Sequence, residues 1–420
     1  MRADPRAVAP AAGYGGAGAI PFVVWTLYVF IVSLPFDSPE RRTPVELTTI
    51  LGAVFLLATL TRPSLCYRRP PAAFWLFAIY MCVLVVSFVV NGAEYPEDTL
   101  KTFLTRSLLV LIFLPAYNLM RDPRVARHCL IIFGVACALL AVLTLTSIVG
   151  MSDVAKARVT AFGQNPNRSA LFMGSGILAL VAASLGGVRP PFRPRLLALG
   201  LAAVAAAAQL GTGSRGSLLA LVAGLWALTL GGRGFKLRFR NALLSLVGLT
   251  AVAWAALQSP VMARRLEHAQ QGDFAGREEI FPLAWGMVQE RPLFGWGPAG
   301  NSYELAMRIS DGVHVTRDTH NLVLEVLTTV GIVGTLPFFA ALALCVLGAW
   351  RARHGPMGIG PFALCAAILV ANMSGNYIGL KLTWFVLALA MASGRLFAPS
   401  PEPVPAPPPL RRRWSLPATG

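Results

Sequence analysis

Charged residues are scarce in this sequence, and acidic residues are the scarcest of them. Asp, Glu, Lys and Arg make up 13% of the 420 residues, whereas a soluble domain carries roughly 25%. Hydrophobic residues account for 55%, and the mean hydropathy is +0.63. A water-soluble globule is therefore excluded, because apolar runs close to the ~20 residues needed to cross a bilayer recur along the chain. The composition predicts an all-α polytopic membrane protein.

The sequence also lacks the short motifs that hold metal ions or nucleotides. It contains no Asp-x-Asp, His-x-x-x-His or Cys-x-x-Cys, no Gly-Lys-Ser/Thr phosphate loop and no dinucleotide fingerprint. We therefore expect no bound metal and no cofactor, and we disfavour ATP hydrolysis and metal-dependent sugar-nucleotide chemistry. Any donor substrate should already be activated and already in the membrane.

Apolar runs bounded by proline, glycine and charged residues predict about twelve transmembrane helices. The predicted segments are 20–36, 43–61, 72–90, 100–120, 128–149, 169–187, 196–210, 216–231, 241–257, 322–350, 360–374 and 380–396. They divide the chain into a tail at 1–19, nine helices within 20–257, a long polar loop at 258–319, three helices within 320–397 and a tail at 398–420. Both tails are predicted to be loose, and the Pro-rich second one disordered.

Basic residues are concentrated in alternate short connections between these segments. The net charge of +17 would suggest nucleic acid in a soluble protein, but here the positive-inside rule is the first explanation. It places the arginine-rich connections and both termini in the cytoplasm; these connections are 62–71, 121–127, 188–195, 232–240 and 351–354. The acidic 91–99 segment, the turn at 211–216 and the 258–319 loop then face outward. No nucleic-acid partner is expected.

A glycine-rich turn on the outer side, GTGSRGS at 211–217, precedes one of the predicted helices. Glycines let the backbone approach a ligand closely, and the free amides at a helix start favour an anion. Arg215 adds a planar, permanently charged group that suits phosphate oxygens. The alternative is a tight hairpin whose arginine extends to lipid headgroups.

The outer loop contains a second candidate segment, GREEIFPLAWGMVQERPLFGWGPAGN at 276–301. Its apolar periodicity predicts an amphipathic helix that ends before Arg291-Pro292 and can lie on the membrane surface. The apolar positions are Ile280, Leu283, Ala284, Met287 and Val288. Arg277 lies at the N-terminal end of this helix, where an anionic headgroup would be held. A solvated arginine paired with one of the two following glutamates is the alternative.

A third candidate is the Asp-Thr-His-Asn segment before the long apolar helix that is predicted from Leu322. Thr319 or Asn321 could cap this helix. Among the five histidines, only His320 combines the outer face, membrane entry and a helix start. The positive end of the helix dipole opposes protonation, and the neutral imidazole is the form that a general base requires. A structural or idle histidine is the alternative.

Four segments in this order resemble the O-antigen ligase family, which also contains related polysaccharide polymerases. They are RVTAFGQNPN at 158–167, the GSRGS turn, the GR…W…P..G.G segment and an HN-x-x-L-E…G..G helix start formed by His320, Asn321, Leu324, Glu325, Gly331 and Gly334. The resemblance covers residues 158 to 340. Each motif alone is weak, but four in one order with a consistent topology are fairly specific.

The resemblance implies a GT-C-like fold and a metal-independent, inverting glycosyltransferase of the bacterial inner membrane. The donor would be a glycan on undecaprenyl diphosphate, and the acceptor at the periplasmic face would be lipid A-core in a ligase or a second lipid-linked repeat unit in a polymerase. The family's diphosphate-binding arginines would fall on Arg215 and Arg277, and its essential histidine on His320. Further candidates for substrate contacts are Asn165, Asn167, Arg168 and Asn321.

A transporter or flippase is the alternative from a different functional class. Such proteins usually hold ionisable groups near the bilayer midplane. Here Arg106, Gln209 and Asn372 are nearly all of the polar residues expected at depth, and no Asp or Glu is clearly central. A transferase is therefore favoured, with a lipid-linked glycan donor, lipid A-core or another glycan acceptor, and membrane lipid as its expected partners.

Overall fold

The computed structural model describes residues 20–37, 46–146, 158–185, 192–232, 234–270, 276–309 and 315–395. Every regular element in these ranges is a helix, so the predicted all-α class is confirmed. The α-helices are α1 (Phe22–Ser33), α2 (Leu47–Thr59), α3 (Pro63–Cys66), α4 (Ala72–Val90), α5 (Pro96–Leu119), α6 (Pro123–Leu145), α7 (Pro166–Leu185), α8 (Phe192–Gly211), α9 (Arg215–Thr229), α10 (Phe235–Gln258), α11 (Pro260–Gln270), α12 (Arg277–Glu290), α13 (Gly300–Arg308), α14 (Leu322–Arg351), α15 (Gly360–Ala371) and α16 (Lys381–Arg395). The predicted tails at 1–19 and 398–420 lie outside the described residues.

Each of the twelve predicted apolar segments coincides with one of these helices. Six described helices are long and apolar enough to cross a membrane, namely α4, α5, α6, α8, α10 and α14. Five shorter apolar helices, α1, α2, α9, α15 and α16, accompany them. The chain is therefore a multi-pass membrane protein.

The described part of the polar region at 258–319 contains three helices, α11, α12 and α13. The amphipathic periodicity places α12 correctly, since the helix begins at Arg277 and ends just before Arg291. The expectation that its apolar face lies on the membrane is wrong. That face is buried in a small core; the core residues are Ile280, Ala284, Met287, Leu305 and Ile309. Packing within the protein thus removes this apolar stripe from lipid and from water.

The connections between helices lie on two opposite faces of the bundle. On the first, which we call the site face, Asn91 Nδ2 donates to Gly295 O at 3.1 Å and the Tyr303 hydroxyl donates to Asp98 at 2.6 Å. On the second, the basic face, a groove brings together the start of α6 and the connection before α15, including Arg124 and Arg127. Two of the predicted cytoplasmic connections, at the start of α6 and before α15, therefore lie together.

The long helix α14 is interrupted at Gly331, whose backbone has φ 61° and ψ −166°. A continuous helix was expected from the apolar run at 322–350, so this is a correction. The freed backbone groups bond to the Gly-rich segment at 292–297 over 2.7–3.2 Å; the pairs are Trp296 N to Thr328 O, Gly297 N to Thr329 O, Ile332 N to Pro292 O and Val333 N to Leu293 O. An irregular backbone is tolerated in an apolar environment when its groups are paired in this way.

A buried ion cluster joins the beginning of the bundle to its last helix. Lys381 Nζ lies 3.2 Å from Asp37 Oδ1 and 3.1 Å from Glu46 Oε2. The Thr48 hydroxyl also donates to Asp37 Oδ1 at 3.0 Å. Gln164 Nε2 donates to the Asp37 carbonyl at 3.1 Å, so the cluster also holds the segment that leads into α7.

Candidate active site

The connection between α15 and α16, residues 372–380, is the point where several predicted site segments meet. We call it the Ser374 loop. Leu322 N, at the start of α14, donates to Asn372 O at 2.8 Å. Asn321 Nδ2 donates to Met373 O at 3.4 Å, while Asn321 Oδ1 caps α14 by accepting from two backbone amides. Asn372, expected at depth in the bilayer, therefore lies at the end of α15 on the site face.

Arg277 and the start of α9 both contact Ser374. Arg277 Nη2 donates to the Ser374 carbonyl at 2.6 Å. On the other side, Gly216 approaches so closely that a Cβ built on it would overlap the Ser374 hydroxyl. Because Arg215 directly precedes Gly216, the two predicted phosphate-binding arginines belong to segments that meet at this one residue. Arg277 is half-buried here.

Arg215 is held against α11. Its Nη1 donates to the Arg265 carbonyl at 2.9 Å, so the side chain lies within the protein rather than along the lipid surface. Ser214 caps α9 by accepting from Ser217 N. The glycine-rich turn is thus a helix start with a guanidinium fixed beside it, as an anion site requires.

The 158–167 segment packs directly against this turn. Arg158 Nε donates to Thr212 O at 2.6 Å, and its Nη2 donates to Asn167 Oδ1 at 2.9 Å. The Ser217 hydroxyl donates to Asn167 O at 3.0 Å, and Asn165 Oδ1 accepts from Asn167 N at 2.9 Å. The structure therefore gives Asn165 a capping role at α7 and Asn167 a bracing role. Substrate contact by either residue stays a prediction.

Arg168 lies near Tyr377 of the Ser374 loop and near Asp318. Burial raises the pKa of Tyr377 to about 12, although Arg168 and Arg277 act in the opposite direction. The phenol is therefore neutral at physiological pH and can donate one hydrogen bond. Arg168 thus lies with the other predicted site residues on the site face.

His320 is half-buried and adopts a left-handed backbone with φ 54°, which is rare for a residue with a side chain. Burial lowers the pKa of His320, and Arg277 and Arg317 lower it further. The neutral imidazole is therefore favoured, as the sequence predicts. The largest of these causes is burial.

Four helix N-termini converge at this site, those of α7, α9, α12 and α14. Each presents the positive end of a helix dipole. With the guanidinium groups of Arg215 and Arg277, they make an environment suited to a group that carries several negative charges. Within the described ranges, no three His, Cys, Asp or Glu side chains form a set able to hold a metal ion.

Sequence reasoning assigned no role to Asp318, Glu325 or the Ser374 loop. Glu325 is 7% exposed, and each of its oxygens lies within hydrogen-bonding distance of a neighbouring side chain, although no carboxylate is expected in the interior from the sequence. The mostly polar sequence NMSGN at 372–376, between two apolar helices, was a usable signal for the loop. By themselves these residues predict only a break between two membrane spans.

Comparison with known proteins gives two matches. Residues 197–339 match the family model described as O-antigen ligase. An O-antigen ligase from Pseudomonas aeruginosa is 27% identical over 361 residues, which cover 84% of this chain and 79% of that protein. The resemblance to the O-antigen ligase family is confirmed. The O-antigen ligase match includes Arg215, Arg277 and His320, and it supports a membrane-embedded ligase that transfers glycans.

Proposed function

We propose that this protein transfers a polysaccharide from undecaprenyl diphosphate to a sugar hydroxyl of lipid A-core at the periplasmic face of the bacterial inner membrane. The observation that carries the proposal is the meeting of Arg277 and the α9 start at Ser374, beside the helix that His320 precedes. Two guanidinium groups and a neutral imidazole on one face are the groups that this reaction needs.

In the proposed reaction, His320 takes the proton of the acceptor hydroxyl while its oxygen attacks the anomeric carbon. The bond from that carbon to the diphosphate oxygen breaks, and its electron pair goes to the departing diphosphate. Arg215 and Arg277 stabilise the developing charge, so no metal is needed. Attack opposite to the leaving group inverts the anomeric carbon. Arg168, Asn165 and Asn167 are proposed to orient sugar or phosphate groups.

An apolar groove of about 250 Å³ on the site face supports a lipid-linked donor. It lies between α4 and α5 under Pro298 of the Gly-rich turn, and its lining residues are Leu84, Val85, Phe88, Pro96, Thr99, Leu100, Phe103 and Pro298. Phe103 is one helical turn from Arg106, which donates to the Tyr80 hydroxyl at 2.6 Å and faces Glu325. A polyprenyl chain in this groove would bring its diphosphate toward the site.

The direct test is His320→Ala in a purified transfer assay with an undecaprenyl-diphosphate-linked glycan and lipid A-core. We expect kcat to fall about 100- to 10,000-fold because general base catalysis is lost. Binding of undecaprenyl diphosphate and the melting temperature should be unchanged, and EDTA should leave the wild-type rate unchanged. Full activity of His320→Ala would refute the mechanism.

A gene deletion distinguishes the ligase from the related polymerase. Loss of a ligase leaves long carrier-linked chains and bare lipid A-core. Loss of a polymerase leaves lipid A-core with a single repeat unit, and that result would replace the acceptor proposed here.

A further inference from the structure

Glu325 is a carboxylate within the first turn of α14 to which the proposed reaction gives no role. Its residue is 7% exposed. Oε1 accepts from Asn301 Nδ2 at 3.2 Å, and Oε2 lies 3.1 Å from Thr319 Oγ1. Arg106 of α5 and Tyr80 of α4 also face it. Four segments of the chain therefore converge on one buried acid, namely α4, α5, α13 and the segment before α14.

The number of hydrogen atoms that Thr319 can donate indicates whether Glu325 is protonated. Thr319 Oγ1 lies 3.0 Å from Asn321 O and 3.1 Å from Glu325 Oε2, yet the hydroxyl has a single hydrogen. A carbonyl oxygen only accepts. An ionised Glu325 would have to share that one hydrogen with the Asn321 carbonyl, whereas a protonated Glu325 donates to Thr319 and leaves the hydroxyl hydrogen for Asn321, so that each contact is a full hydrogen bond. The geometry thus favours a protonated Glu325.

Asp318 completes a carboxyl pair. Its side chain is within hydrogen-bonding reach of Glu325 and accepts from Asn376 Nδ2 at 3.1 Å. Burial raises the pKa of Asp318, whereas Arg168 and Arg106 lower it. Two carboxyl groups this close do not both ionise readily, and they titrate as a unit. The pair then holds one proton and one negative charge.

The charges around His320 give this pair a role. Arg277 and Arg317 oppose protonation of the imidazole, and Glu325 favours it. When the imidazole takes the proton of the acceptor hydroxyl, a third positive charge joins those two guanidinium groups. A nearby negative charge is needed to offset it, and the Asp318–Glu325 pair is adjacent in the chain and in space.

We propose that Asp318 and Glu325 share one proton and supply the single negative charge that stabilises protonated His320 during glycan transfer. This inference rests on the proposed function, because it takes His320 as the base. Both acids act through His320 as positioning residues and need no contact with substrate. The proton on His320 passes to water after the diphosphate departs, and the shared proton stays with the pair.

The test is an NMR titration of His320 in full-length protein with ¹³C-labelled histidine, assigned by comparison with His320→Gln. Glu325→Gln leaves the charge on Asp318, and Asp318→Asn lets Glu325 ionise, so each single substitution should change the midpoint little. The double substitution removes the charge and should lower the midpoint by about 1 pH unit. Glu97→Gln, an exposed acid in the first turn of α5, is the matched control.

Equal and additive shifts of the His320 midpoint in the two single variants would contradict a shared proton, because they would indicate two independent negative charges. No shift in the double variant would overturn the stabilising role. If the double variant does not fold, infrared spectroscopy of the wild type decides. A protonated carboxyl band at neutral pH should be lost in Glu325→Gln and kept in Glu97→Gln, and its absence from the wild type refutes the pair.

These readouts involve no glycan transfer, so they are independent of the proposed function. An active His320→Ala enzyme would refute the base while leaving the titration interpretable. In the transfer assay, the double variant should lose about tenfold in kcat with KM unchanged, and the acid limb of its pH profile should move to lower pH.

Discussion

At the residue scale, the site depends on side chains whose chemistry is set by their surroundings. Arg277 is fixed by the Ser374 carbonyl, Arg215 by the Arg265 carbonyl, and His320 by an unusual backbone conformation. Each arginine donates at least one N–H to a protein carbonyl. This anchor fixes the orientation of the planar guanidinium group.

This anchoring predicts that lysine cannot replace either arginine. Arg215→Lys and Arg277→Lys keep the charge but lose the planar fork, so one nitrogen cannot both hold the anchor and bind two phosphate oxygens. We expect kcat/KM for transfer to fall about 10- to 100-fold in each. Arg264→Lys, an exposed position on α11, is the control and should behave as wild type. Undiminished transfer by both site variants would contradict the phosphate role.

The second residue-scale prediction concerns pH. Burial, Arg277 and Arg317 lower the pKa of His320, so the neutral base persists below the pH at which an ordinary histidine becomes protonated. Arg317→Gln removes one opposing charge and raises that pKa. The acid limb of the kcat/KM profile should therefore move to higher pH, which a rate measurement across pH 5 to 8 would detect. An unmoved limb, or the same movement in Arg264→Gln, would count against this electrostatic account.

At the scale of elements, the interruption of α14 at Gly331 and the inserted 292–297 segment form one unit. Gly295 has φ 65°, and a Cβ built there would lie 2.5 Å from Thr328 O. The sequence motif of spaced glycines thus has a packing cause, since the two backbones pair where side chains have no room. This junction also fixes the distance between α12 and α14. Arg277 is the first residue of α12, and His320 lies just before α14.

Gly295→Ala should accordingly destabilise the fold by about 2–3 kcal/mol, from backbone strain and overpacking. The free energy of unfolding in a mixed-micelle denaturant titration measures it. Gly286→Ala is the matched control, because that helical glycine has no heavy atom near its missing Cβ. The control should be neutral or stabilising by about 0.5–1 kcal/mol. Equal stability of the two variants would contradict the junction.

Sequence reasoning predicted the elements well and their meeting points poorly. The helices at Ala72–Val90 and Arg277–Glu290 follow from apolar run length and periodicity, which are local properties. Contact between Arg277 and Ser374 joins residues 97 positions apart, and no local pattern encodes it. The break at Gly331 was also hidden, because the residues around it are as apolar as an uninterrupted span.

At the scale of the whole molecule, the two faces predict an orientation. The basic face should be cytoplasmic and the site face periplasmic, since arginine-rich connections are retained on the cytoplasmic side. A membrane-impermeant maleimide should label Met307→Cys in cells with a permeable outer membrane, and Arg351→Cys only after lysis. Both side chains are exposed, and five of the six native cysteines are buried. The reverse labelling pattern would invert the topology and refute a periplasmic site.

The contact of Lys381 with Asp37 and Glu46 has a consequence for how the chain is made. The ribosome synthesises both acids early and their cationic partner more than 300 residues later. Throughout translation and insertion, the first two helices therefore carry two acids without this counter-ion. A nascent chain that stops before α16 lacks Lys381, so both acids stay without this partner. The cluster that joins α1 and α2 to α16 can therefore form only after Lys381 has been synthesised.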